Sequence, residues 1–196
     1  MELQDAIRRR RMVRSFEERP IPPALRERLL ANALRGPSAG FTQGFDLLVL
    51  EGPEELERFW DAISSDRGFA ARGWPGVYRA PLVVVPLAHK GAYLARYAEP
   101  DKGWTDRGEE RWPVPFWYVD AAFATMLLLL TAVDLGLGAL FFGLRDPAAL
   151  RSAFGVPADR EPIGAIALGY PAPDRPSASL KRGRRPLEEV VHRGGW

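Results

Sequence analysis

The sequence predicts a mixed α+β fold, a central sheet flanked by helices, within one domain spanning residues 1–196. Three observations carry that prediction. Apolar runs rich in strand formers recur at "FDLLVLE" (45–51), "PLVVVPLA" (81–88) and "PIGAIALGYP" (162–171). Segments with apolar residues three and four apart lie before and between them. The two kinds do not alternate strictly, so a doubly wound parallel sheet is not expected. At 196 residues and 46% hydrophobic composition the chain has ordinary single-domain size and enough apolar residues for a core. No internal repeat or linker divides it.

Residues 2–11 read as a helix ending near Met12, with Leu3 and Ile7 on one face and arginines around the rest. Residues 24–35 set Leu25, Leu29 and Ala33 beside Leu30 and Leu34 in a stripe that prolines open and Gly36-Pro37 closes. "GPSAGFTQG" (36–44) is then a loop and 45–51 a strand. "PEELERFWDAIS" (53–64) is a helix opened by proline and carboxylates, and 81–88 is a buried strand. From 91 to 115 periodicity fades, which predicts a loop carrying one short helix, long enough to act as a lid. A long helix follows over 117–135, then a glycine-rich passage, 136–144. "DPAALRSAF" (146–154) is a helix begun by Asp146-Pro147, and 162–171 is the last strand. The tail, 172–196, reads as an extended arm.

The core of the long helix, "AAFATMLLLLTAV" (121–133), is too short for the roughly 20 apolar residues of a membrane span. Apolar on every side, it belongs deep in a core or in a subunit interface, which predicts an oligomer. The N-terminus shows arginines without an apolar segment behind them, so no signal peptide is expected and the expected location is cytoplasmic. Zero cysteines exclude disulfides, thiolate nucleophiles and cysteine-held metals.

Charge is nearly balanced, 27 Lys+Arg against 25 Asp+Glu, yet the basic residues gather at the two ends. Arg8, Arg9, Arg10, Arg11 and Arg14 fall within seven positions, and "KRGRR" (181–185) lies in the tail. Such arginines form a phosphate clamp or a solvated charged face; a nucleic-acid surface is disfavoured by the low net charge and the lack of a DNA-binding motif. The loop 36–44 offers amides, hydroxyls and Gln43 to a polar ligand, or is a plain connector. "GLGALFFGL" (136–144) is no dinucleotide fingerprint, since it follows a helix and has the wrong spacing. His89 and His192 show no metal-ligand spacing and no nucleophile motif occurs, so no metal site is expected. Trp74, Trp104, Trp112, Phe116 and Trp117 line an aromatic pocket or pack a core. Without an acid, base or nucleophile in evidence, an enzyme of this sequence must take its chemistry from a cofactor.

As an ordered set, "RRMVRSF" (10–16), "PSAGFTQGF" (37–45), the long helix running into "GLGALFFG", "IALGYP" (166–171) and "RGRRPLEEVVH" (182–192) resemble the FMN-dependent nitroreductase family over nearly the whole chain. The resemblance implies a three-layer sandwich with a central, mostly antiparallel sheet. It also implies an intertwined homodimer with the long helices at the interface and swapped C-terminal arms. FMN would lie between subunits and pass hydride from NADH or NADPH, by a ping-pong course, to a small nitro, quinone or other aromatic acceptor. Related activities on the same scaffold are dehydrogenation or oxidation of a small or peptide-derived substrate; non-catalytic flavin binding is a further alternative.

Carried over by position, Arg10, Arg11 and Arg14 match the family's basic motif at the flavin phosphate and pyrimidine edge, and Met12 stands where serine is usual. Arg182 and Arg184 match the basic pair of the tail. Pro37, Ser38, Ala39 and Gln43 match the loop that reaches FMN from the other subunit, with Phe41 in place of the common asparagine. Leu140, Phe141, Phe142 and Gly143 match the passage whose backbone lies against the isoalloxazine ring, and Phe142 replaces a frequent glutamate. No protein side chain is expected to do the catalysis itself.

Overall fold

The computed structural model describes residues 1–63 and 68–196 and bears out the mixed α+β class. The strands are β1 (Phe45–Glu51), β2 (Leu82–Ala88), β3 (Gly138–Phe142), β4 (Glu161–Pro162) and β5 (Ala165–Gly169). All pair antiparallel in one sheet of order β1-β2-β5-β3, with β4 beside the far end of β2. Among the described residues the helices are α1 (Leu3–Arg9), α2 (Pro23–Ala33), α3 (Pro53–Ile63), α4 (Gly68–Ala71), α5 (Lys90–Tyr97), α6 (Phe116–Asp134) and α7 (Pro147–Phe154).

Period-two alternation makes three layers out of these elements. Val83, Val85, Leu140, Ala165 and Ala167 face one side of the sheet, where they pack with Phe59, Trp60 and Ile63 of α3 and Leu150 of α7. Leu82, Val84, Ala139, Ile166 and Leu168 face the other, against Leu29 and Ala33 of α2 and Leu128, Leu129 and Ala132 of α6. Burying each large side chain contributes about 1.5–3 kcal/mol, so both faces hold the sheet in place.

Pro86 sits in the middle of β2, a position that normally needs its N–H. Here β2 exchanges partners: Leu82 to Val84 pair with β5, while Leu87 and Ala88 pair with β4. The turn at Gly164, with φ of 150°, carries the chain across that seam, and the Pro86 carbonyl accepts from the Ile163 N–H at 3.1 Å. A missing donor at the seam interrupts no ladder bond.

One segment departs from the sequence reading. The glycine-rich passage contains β3, because Gly136 and Gly138 end at "ALFF", which completes the sheet edge. The segment 91–115 holds the short helix expected in it, most of α5, and adds a 3-10 turn at Glu109–Arg111 within the loop. Ser64, the expected end of α3, lies outside the described residues. The strand expected over 162–171 is divided into β4 (Glu161–Pro162) and β5 (Ala165–Gly169), and α7 starts at Pro147 after Asp146 caps the Ala149 N–H at 2.8 Å.

α6 is long and apolar enough to cross a membrane by length and composition, but half of it is buried in the fold. Its inner face packs on α2 and the sheet. The outer face carries Val119, Phe123, Met126, Leu130 and Val133, spaced three or four apart, with Ala122 beside them and Phe123 and Met126 43% and 47% exposed. The apolar Leu3 and Ile7 of α1 are exposed as well.

Candidate functional site

The chain leaves α1 at Arg10 in extended conformation and runs along the free edge of β3. Met12 bridges Ala139, and the Val13 N–H donates to the Ala139 carbonyl at 2.9 Å. Gly138 permits this approach, since a Cβ there would lie 2.9 Å from the Val13 side chain. With Val13 and Phe16 buried in the core, Arg10, Arg11, Met12 and Arg14 are left around a cavity of about 320 Å³. The tail closes it with Arg175, Ser177, Ser179 and Arg184.

Five arginines therefore share this cavity with one carboxylate, Asp174, which accepts from the Arg14 backbone N–H at 2.7 Å and lies 4.0 Å from the Arg11 guanidinium. Among the described residues neither Arg10 nor Arg184 has a carboxylate within 4.0 Å. Cations gathered without counter-charges repel one another unless an anion sits among them, and planar guanidiniums suit a phosphate best. Arg182 ends the turn Ala178–Arg182 and is outside the cavity wall. Arg175 and Asp174 were not singled out from the sequence; their only signal was proximity to the basic tail.

The loop 36–44 lies elsewhere, at the start of α6. Asp120, 2% exposed, accepts the Ala39 N–H at 2.8 Å and the Tyr93 hydroxyl at 2.7 Å on the same oxygen. Burial first, and the Asp120 hydrogen bond second, raise the Tyr93 pKa. The Ser38 hydroxyl oxygen accepts the Gln43 N–H at 2.9 Å, and Arg96 Nε donates to the Gly40 carbonyl at 3.0 Å. These contacts hold Phe41 and Gln43 at φ of 53°, a left-handed conformation that costs non-glycine residues energy and persists where surroundings enforce it. Pro37 precedes this turn. Phe41 is displayed outward, 77% exposed.

Along β3, Leu140 points into the α3 layer and Phe141 toward the α6 layer. The Phe142 ring stacks on Trp60 at 5.7 Å and 15°, with Phe59 and Phe69 edge-on. Its side chain is thus committed to packing, which leaves its backbone and the exposed Gly143 for a ligand. Aromatic residues of α5, the following loop and the start of α6 form a second cluster, Tyr97 with Trp104 and Trp112, and Trp112 with Phe116 and Trp117. Trp74 does not join it; it lies beside Arg14, at 5.0 Å.

The basic cavity and the loop 36–44 stand at opposite ends of α6. Asp120 binds the loop, while Asp134 binds the N-terminal amine next to the arginine segment at 2.7 Å. They are fourteen positions apart on the helix, roughly 21 Å at 1.5 Å per residue. The structure thus brings together Arg10, Arg11, Met12, Arg14 and Arg184, and keeps Pro37 to Gln43 apart from them within one chain.

The sequence model of the nitroreductase family matches residues 7–170. A Methanothermobacter thermautotrophicus protein with the provisional name NADH dehydrogenase/NAD(P)H nitroreductase is 30% identical over 176 residues, 88% of this chain and 78% of the relative. An NADH dehydrogenase of Thermus thermophilus is 28% identical over 97% of this chain and 95% of its own. Among solved structures, a nitroreductase family protein of Clostridium difficile superposes with a TM-score of 0.72 at 22% identity, covering 100% of both chains. An FMN-dependent nitroreductase of the same species does so at 0.69 and 18%, covering 97% of this chain and 98% of that one. With a family match across most of its length and the same three-layer fold, the chain belongs to the nitroreductase family.

Proposed function

We propose that this chain is an FMN-dependent oxidoreductase that draws on NADH or NADPH and works as a homodimer. The observation that carries the reading is the cavity in which Arg10, Arg11, Arg14 and Arg184 converge around space for an anion. Its chemistry fits the phosphate of FMN: arginine stays charged, binds phosphate oxygens through paired N–H groups, and here lacks enough carboxylates for neutrality. Bound there, FMN would supply two-electron hydride chemistry between a nicotinamide donor and an acceptor.

The protein's own part is to bind, orient and exclude water. Arg10, Arg11, Arg14 and Arg184 would hold the phosphate, and the backbone at Phe142 and Gly143 would border the flavin. Met12 contributes no hydroxyl, so the phosphate site rests on arginine and on Ser177 and Ser179. The loop with Pro37, Ser38, Ala39, Phe41 and Gln43 meets the same flavin from the other subunit. The exposed Phe123 and Met126 on the outer face of α6 support that arrangement: antiparallel pairing of two such helices would cover them and would set the loop end of one helix beside the basic end of the other. Apolar stripes of this width on an otherwise packed helix mark an interface. The apolar Leu180, Leu187, Val190 and Val191 of the exposed tail give an arm with residues to bury against a partner. An outward Phe41 and the aromatic cluster of the lid suit a planar, aromatic acceptor.

The test is sedimentation of the purified protein, monitored at a flavin wavelength, after addition of FMN. Flavin absorbance travelling with a two-chain species, one FMN per chain, is the expected result. A monomer, or free FMN left behind by the protein, contradicts the reading.

A further inference from the structure

We propose that Arg175 is a further phosphate-binding cation of the basic cavity and that Trp74 positions it together with Arg14. The proposal rests on the FMN reading above and concerns the phosphate end of that ligand.

The two guanidiniums share one indole. Arg14 Cζ lies 5.0 Å and Arg175 Cζ 5.4 Å from the Trp74 ring, and both residues line the cavity. The indole Nε1 donates to the Arg175 carbonyl at 3.2 Å, so the tryptophan holds the tail segment by its edge and the arginines by its ring. Arg175 Nη2 donates to the Arg72 carbonyl at 2.7 Å. Gly73 has φ of 83°, and a Cβ there would stand 2.7 Å from the same Nη2. The turn from Arg72 to Trp74 is therefore shaped around the Arg175 side chain. The next residue upstream, Asp174, accepts the Arg14 N–H at 2.7 Å, and Ala172 N–H donates to the Ser15 carbonyl at 3.0 Å. Three separate stretches, 14–15, 72–74 and 172–175, are thus joined at one wall of the cavity.

Arginine side chains are long and lose rotamer freedom when a ligand fixes them. A cation placed on an indole face is held before the anion arrives, so the loss is smaller at binding. The Arg175 N–H groups not given to Arg72 remain for phosphate oxygens.

The test compares FMN with riboflavin, which lacks the phosphate. Dissociation constants of both are measured by quenching of flavin fluorescence on the flavin-free protein and on Arg175→Ala, Trp74→Leu and Trp74→Phe. Arg175→Ala and Trp74→Leu are expected to weaken FMN by about tenfold while riboflavin changes less than about twofold, and Trp74→Phe, which keeps a ring, is expected to bind FMN almost as the parent does. An unchanged FMN constant in Arg175→Ala overturns the proposal, as do equal losses for the two flavins, the mark of a general structural role. If Trp74→Leu does not fold, the exposed Arg175 decides alone. Parent protein that binds FMN, weakened by Arg14→Ala but not by Arg175→Ala, sinks this inference and leaves the functional reading standing. Parent protein that binds neither flavin sinks both.

Discussion

Tyr93 and Asp120 meet in the interior, phenolic hydroxyl to carboxylate at 2.7 Å, and the same oxygen holds the Ala39 N–H. One buried carboxylate thus ties α5 and α6 to the loop that displays Phe41.

Replacing Asp120 by alanine leaves two donors without an acceptor, one of them on a fully buried tyrosine. The expected loss is about 2–4 kcal/mol in urea denaturation, since each hydrogen bond to a charged group contributes about 1.5–3 kcal/mol. Asp120→Asn, whose amide oxygen still accepts, should lose less. Equal stability of Asp120→Ala and the parent contradicts this account of the loop.

The same pair sets an alkaline limit. In the unfolded chain Tyr93 ionises near pH 10. In the folded chain burial and the Asp120 bond keep it protonated well above that. Its contribution is therefore fully present below about pH 10 and is lost as pH rises beyond it, at no more than about 1.4 kcal/mol per pH unit. Tyr93→Phe should show a shallower decline between pH 10 and 11 than the parent. Identical slopes would mean that Tyr93 titrates alike in both states.

Phe123→Asp places a charge in the middle of the exposed stripe of α6 without touching the core. Sedimentation should find a folded monomer with circular dichroism like the parent's, and FMN affinity should fall with dimerisation because the loop 36–44 of the partner is gone. A Phe123→Asp dimer with normal flavin binding refutes the placement of the interface on this face.

Arg14→Ala and Arg184→Ala should each weaken FMN at least tenfold, the equivalent of about 1.4 kcal/mol or more per lost charged hydrogen bond. Arg8→Ala is the control, because Arg8 pairs with Asp5 on the surface of α1. Equilibrium titration reads all three. Loss in Arg8→Ala as large as in Arg14→Ala would mean that a diffuse charge, and not the cavity, attracts the flavin.

Much of the fold was legible because its signals are local. "PLVVVPLA" and the stripe of α2 announce a strand and a helix from their own periods, and Asp146-Pro147 announces a helix start. β3 was hidden because its five residues sit between glycines, and only pairing with β5 shows that "ALFF" is a strand. The basic motif of Arg10, Arg11 and Arg14 was visible as a charge cluster, whereas Asp174, Arg175 and Trp74 join it only through contacts across 60 or more residues. Phe142 illustrates the remaining limit: the family resemblance proposes it for the site, but only packing shows that its ring turns to Trp60.

The most direct test of the central claim is anaerobic addition of NADH, and separately NADPH, to the FMN-loaded protein while its visible absorbance is followed. Bleaching of the flavin bands by at least one donor, and their return when an aromatic acceptor such as a quinone is added, is the predicted result. Bands that persist with both donors would contradict a nicotinamide-dependent reductase and point to an enzyme reduced by another substrate or to a flavin carrier.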